Sequence, residues 1–131
     1  MNITASKLFE VAKHLHDLNK NGQVKGFSSN ENGYAKIIQL CRGCSIWVHH
    51  EKNDELIIDL LISPSAKEKQ SDLCRDVVRK FQEFFDFTSK KSNWNHSIDT
   101  HNDHDRYYVV VTNKEPVEII YIVETIKKKF A

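Results

Sequence analysis

Apolar and polar positions divide this chain into segments of different period. Over residues 4–19, Leu18, Val11, Leu15, Leu8 and Ala12 share one arc of a helical wheel, with Phe9 just beyond it. Lys7, Glu10, Lys13, His14 and Asp17 fill the other side, which predicts a helix lying on a core. Asn2 or Thr4 can cap its start. Residues 19–33 lose any period and hold Gly22, Gly26 and Gly33 among polar residues. They predict a loop, with Val24 and Phe27 as its anchors.

The period then falls to two. Residues 34–41 and 44–51 flank Arg42-Gly43, a dipeptide suited to a two-residue hairpin turn, and Lys52-Asn53-Asp54 leads into a third strand over 55–62. Loop length sets the pairing: Cys41 opposite Cys44, Ile37 opposite Val48, Ile38 opposite Trp47, and then Val48 opposite Ile58 and Trp47 opposite Asp59. This register sorts side chains onto two faces. One carries Ile37, Cys41, Cys44, Ile46, Val48, Leu56, Ile58, Leu60 and Ile62, and its apolar character turns it to the core. The other carries Tyr34, Lys36, Ile38, Leu40, Trp47, His49, Ile57, Asp59 and Leu61. That face is more apolar than solvent alone would explain.

Ser63-Pro64 combines an N-cap with a proline at the first helical position. The helix it opens is predicted to run over 64–85, with Leu73, Cys74, Val77, Val78, Phe81, Phe84 and Phe85 on one arc. Trp94, His96 and Ile98 alternate with Asn93, Asn95 and Ser97, as in a half-buried strand. A polar loop over 99–105 precedes a strand over 106–112, rich in Tyr and Val. Pro116 starts a last helix with the stripe Ile119, Ile122, Val123, Ile126 and Phe130. The order is α-β-β-β-α-β-β-α. It predicts one α+β domain over 1–131, a mostly antiparallel five-stranded sheet packed by three helices.

Composition narrows the functional classes. With 40% hydrophobic and 28% charged residues, 4 Gly and 2 Pro, the chain is not low-complexity or collagen-like. No apolar run approaches the roughly 18 residues of a membrane span. Polar Asn2, Thr4 and Ser6 do not read as a secretory leader. Nineteen Lys and Arg against eighteen Asp and Glu leave a net charge of +1, without the basic excess that nucleic-acid phosphates demand. Of the short basic runs, Lys127-Lys128-Lys129 is explained by its place at a helix C-terminus. Three cysteines, an odd number, fit a reducing compartment, and the expected location is cytoplasmic.

Four constellations bear chemistry. Cys41-Arg-Gly-Cys44, with His49 and His50 following, offers soft ligands. A closed zinc site would need a second pair from His96, His101 or His104, and packing at a strand end accounts for the cysteines as well. Asp99, His101, Asp103, His104 and Asp105 could face a divalent cation, but a calcium loop's glycine is absent and Val110 stands where its final Glu would be. His96 and His104 with Lys90 or Lys91 could cleave RNA by acid–base chemistry if both rings reached one phosphate. Trp94, Tyr107 and Tyr108 near Lys90, Lys91 and Arg106 could stack on single-stranded nucleic acid, against the near-zero net charge. No nucleophile elbow, phosphate loop, dinucleotide fingerprint or zincin helix is present. No catalytic residue, metal ligand or cofactor is therefore assigned.

The second sheet face is the stronger signal. Tyr34, Lys36, Ile38, Trp47, His49, Ile57, Asp59 and Leu61 form an aromatic and apolar patch of the kind protein partners use. One of the chain's own helices is the competing cover for it. In element order the chain resembles two groups of small bacterial proteins, immunity proteins that block a toxin domain and secretion chaperones that bind an extended effector segment as homodimers. The first resemblance implies a non-catalytic inhibitor with a toxin partner. The second implies a dimer with a markedly acidic surface, which this composition lacks. A toxin-binding, immunity-type module is the first expectation, the chaperone the second, and a small His-dependent nuclease or metal-binding protein the third.

Overall fold

The computed structural model describes residues 3–12, 24–25, 33–50, 54–85, 89–94 and 104–131. In chain order the elements are α1 (Ile3–Ala12), β1 (Val24–Lys25), β2 (Gly33–Cys41), β3 (Cys44–His50), β4 (Leu56–Ile62), α2 (Pro64–Lys69), α3 (Ser71–Phe85), β5 (Ser89–Trp94), β6 (His104–Val110) and α4 (Pro116–Lys129). The fold is α+β, as the pattern predicts. Four antiparallel strands, β2-β3-β4-β6, form the centre of the sheet, and the short β1 and β5 extend its two edges in the order β1-β2-β3-β4-β6-β5.

The counts differ from the expected five strands and three helices. Val24–Lys25 adds an edge strand inside the segment predicted as loop, pairing with Ala35 and Tyr34. The fourth predicted strand falls at Ser89–Trp94, so Lys90 and Lys91 stand within it, and the fifth begins at His104. The helix predicted over 64–85 is two helices. Gln70, at φ −130° and ψ 45°, leaves the helical region between them. Residues 13–23, including the rest of the predicted first helix, lie outside the described residues, as do Phe27, His96, Ile98 and His101.

β2 and β3 meet at Arg42-Gly43 with Cys41 opposite Cys44, as loop length predicts. Beyond that pair β2 carries two extra residues. Its register shifts between Gln39 and Cys41 and again between Lys36 and Ile38. A β-bulge sets two residues against one and changes the alternation locally. Ile38 therefore pairs with Ile46 instead of Trp47, Lys36 pairs with Trp47, and Ala35, not Ile37, pairs with Val48. The β3–β4 register is as predicted, with Val48 opposite Ile58 and Trp47 opposite Asp59.

One apolar cluster joins the sheet to the helices. Ile37, Cys44, Ile46, Val48, Leu56, Ile58, Leu60 and Ile62 meet Leu8 and Val11 of α1, Cys74, Val77 and Phe81 of α3, and Ile119, Val123 and Ile126 of α4. α1 and α4 pack together and against β2, while α3 packs on β4. The described helices thus contribute to the core from one face of the sheet. β6 pairs with β4, which makes β4 a central strand. Its sequence LIIDLLI is apolar on both sides except at Asp59.

Candidate functional site

The second face is defined by register. Tyr34 and Lys36 of β2, Trp47 and His49 of β3, Ile57, Asp59 and Leu61 of β4, and Arg106 and Tyr108 of β6 occupy matching positions across four strands. Of the predicted binding residues, Ile38 does not belong here. The bulge after Lys36 brings it opposite the core residue Ile46, and it packs against the core cluster. Leu40, the extra residue of the second shift, also packs there.

Asp59 lies at the centre, with 0% of its surface exposed. Its Oδ1 meets His49 Nδ1 at 2.8 Å and its Oδ2 accepts a hydrogen bond from Arg106 Nε, also at 2.8 Å. His49 and Arg106 are only 3% and 4% exposed. A buried carboxylate costs several kcal/mol in lost hydration unless both oxygens are satisfied. Here β3 supplies one partner and β6 the other. The network joins three strands in a fixed register. The Asp59–His49 pair resembles an acid–base dyad in composition, but its carboxylate is committed to Arg106 and sealed from solvent.

A more accessible aromatic group surrounds this centre. Trp47 is half-buried, and Tyr34 meets it edge-to-face with ring centroids 5.4 Å apart. The His49 ring lies 5.9 Å from each of them. Lys36 places its ammonium 5.5 Å from the Trp47 centroid while donating to Gln39 Oε1 at 2.9 Å. On the far strand the Arg106 guanidinium sits 4.9 Å from the Tyr108 ring centroid. Such contacts fix an aromatic ring and keep a positive charge beside it. Ile57 is buried, and Leu61 is half-buried. Tyr34, Lys36, Trp47 and Leu61 are thus the predicted residues with surface to offer, while His49, Asp59 and Ile57 support them from below.

Arg106 and Tyr108 were missed as members of this face. The only sequence signal was Asp59 itself, a carboxylate within an apolar strand, which demands a cation from elsewhere. The strand order that supplies Arg106, 47 residues away, is not visible in a local pattern.

The cysteines converge at the other end of the sheet. The Sγ atoms of Cys41, Cys44 and Cys74 all lie within 4.8 Å of one another. Burial pushes the Cys44 thiol far above its ordinary range, with the Cys74 and Cys41 sulfurs adding to the effect. Burial also raises the Cys74 thiol. The histidines weighed as their co-ligands are placed elsewhere: His49 belongs to the opposite face, and His50 Nε2 pairs with Asp54 Oδ1 at 3.0 Å. His104 lines the same open cleft as Cys41. Cys74, assigned from sequence to the core arc of α3, is the third thiol that local spacing could not reveal.

Among the described residues, the largest exposures of large apolar side chains are Val117 and Tyr121 of α4, at 72% and 74%, one helical turn apart. No described helix is long and apolar enough to cross a membrane. Comparison with protein-family models, curated proteins and solved structures gives no match for this chain.

Proposed function

We propose that this chain is a non-catalytic protein-binding module, an immunity-type inhibitor that docks a bacterial toxin domain on its second sheet face. The observation that supports it is the half-buried Trp47, held edge-on by Tyr34 and capped by the Lys36 ammonium. Aromatic anchors with an adjacent cation are the residue types that dominate binding energy at protein interfaces. Their scaffold is a rigid strand network tied by Asp59, His49 and Arg106. A prealigned anchor loses less side-chain freedom on docking, which favours tight inhibition. Lys36 suits a partner surface bearing carboxylates or backbone carbonyls around an apolar pocket for the indole.

The test is co-expression with a toxin domain encoded beside this gene. Wild-type chain is expected to restore growth, and Trp47→Ala to abolish protection while its melting temperature stays near wild type. As an interface hot spot, the indole should account for about 2 kcal/mol or more of binding. A neighbouring gene without toxicity, or a Trp47→Ala chain that protects fully, would refute the proposal. The dimeric chaperone reading draws on the exposed Val117 and Tyr121 of α4 as a self-association surface. A monomeric mass by light scattering counts against that reading and leaves the first intact.

A further inference from the structure

We propose that Cys41, Cys44 and Cys74 form a soft-metal site that takes one divalent cation of the zinc class. Two separate pieces of backbone, the β2–β3 hairpin and α3, bring these sulfurs together. Cys41 and Cys44 are the last and first paired residues around a two-residue turn, so the hairpin itself fixes their separation. Gly43 at φ +84° allows the tight bend, and its carbonyl accepts from the Ser63 N–H at 2.8 Å, pinning the hairpin to the start of α2. The helical break at Gln70 then starts a new helix, with the Cys74 N–H donating to the Gln70 carbonyl at 2.9 Å. Without that break, α3 would continue the line of α2 and Cys74 would take a different position.

The spacing suits the chemistry. A tetrahedral zinc with Zn–S bonds of about 2.3 Å holds its sulfurs about 3.8 Å apart. Sulfurs already within 4.8 Å of one another reach that spacing by small rotamer changes. Cys44 and Cys74 are buried and Cys41 is half-buried, so the group is dry on two sides and open on the third. That open side faces a cleft of about 800 Å³ lined by Arg42, Lys69 and His104 among others. The cleft leaves room for a fourth ligand, water or an imidazole. Three thiolates around a divalent ion carry a net charge of −1, and Arg42 and Lys69 bring positive charge to the same cleft. Packing alone would explain one or two small apolar cysteines, but not a third sulfur brought from α3 to the pair at the hairpin.

The site lies apart from the Trp47 face, so its test is independent of the proposed docking. The full chain is expressed in zinc-supplemented medium, and its metal content is measured. It is then stripped with chelator, kept reduced and titrated with Co²⁺. About one zinc per chain as isolated is expected, with a cobalt–thiolate charge-transfer band that saturates at one equivalent and is displaced by Zn²⁺. Cys41→Ser, a half-buried position that tolerates a hydroxyl, should lose most of the band while keeping the wild-type circular dichroism. Added zinc should raise the melting temperature of the wild type and not of Cys41→Ser. A reduced chain that develops no charge-transfer band in excess Co²⁺ would overturn the proposal. So would a folded Cys41→Ser variant that binds cobalt as the wild type does.

Discussion

Asp59 is a charged residue placed where the sequence is otherwise apolar, and its cost is offset by two partners from different strands. Removing one partner from a buried ion pair is costlier than the pair itself is stabilising, because the remaining charge keeps its desolvation penalty. Arg106→Leu is therefore expected to lower stability by about 3–5 kcal/mol, read as a shift of the urea midpoint. The double variant Asp59→Asn with Arg106→Leu should recover part of this loss, since an amide in the same place carries no charge. If the double variant is no more stable than Arg106→Leu alone, packing of the Arg106 stem on Tyr108, and not charge, holds this position. In either case the effect should exceed that of Trp47→Ala, whose ring retains solvent contact.

Among the elements, the joint between the hairpin and α2 carries the most constraint per residue. Gly43 has a positive φ, and a Cβ there would overlap the Ser63 hydroxyl. That hydroxyl cannot move away freely, because it caps α2 by accepting from the Ala66 N–H at 3.1 Å. Gly43→Ala should cost at least the about 1–3 kcal/mol of a strained backbone position, with an unchanged denaturant slope. Loss of the cap alone, in Ser63→Ala, should cost about 1 kcal/mol. α2 is also tied to β6, through Lys67 Nζ and Asp105 Oδ2 at 2.9 Å. The hydrogen bond to Asp105, followed by its charge, raises the Lys67 amine above its ordinary value of 10.5. A group whose pKa rises on folding stabilises the fold below its unfolded value and ceases to do so as pH climbs through the folded one. The difference in melting temperature between wild type and Lys67→Met should therefore be present below the ordinary lysine value of 10.5 and close as pH climbs through the raised folded one. Because Lys67 is half-exposed, the difference will be small and reduced by salt. A gap that persists unchanged at high pH would show that the lysine stem, not its charge, supports α2.

For the whole molecule, the sequence disclosed periodic features and concealed contacts between distant segments. The apolar arcs of α3 and α4 are legible because Val77, Phe81, Ile119, Val123 and Ile126 recur at helical spacing, and these residues are buried. The β3–β4 register is legible because a short loop leaves little freedom. The two shifts in β2 are not, since Ile37 and Leu40 are apolar and fit either alternation. The break at Gln70 has no glycine or proline to announce it. The candidate binding face was legible in its aromatic residues and in Asp59, but its depth was not. Arg106 reaches Asp59 only because β6 lies beside β4, and Cys74 reaches the hairpin only because α3 starts afresh after Gln70.

The two surplus positions of β2 also bear on how this strand can vary in length. Ile37 and Leu40 each stand between partners that are already matched, so a chain lacking either one leaves every other residue of the strand opposite its present neighbour. Where a ladder carries no such shift, as between β3 and β4, a single deletion would exchange inside for outside along the rest of the strand. The strand beside β1 is therefore a place where descendants of this sequence can shed a residue without losing the ladder.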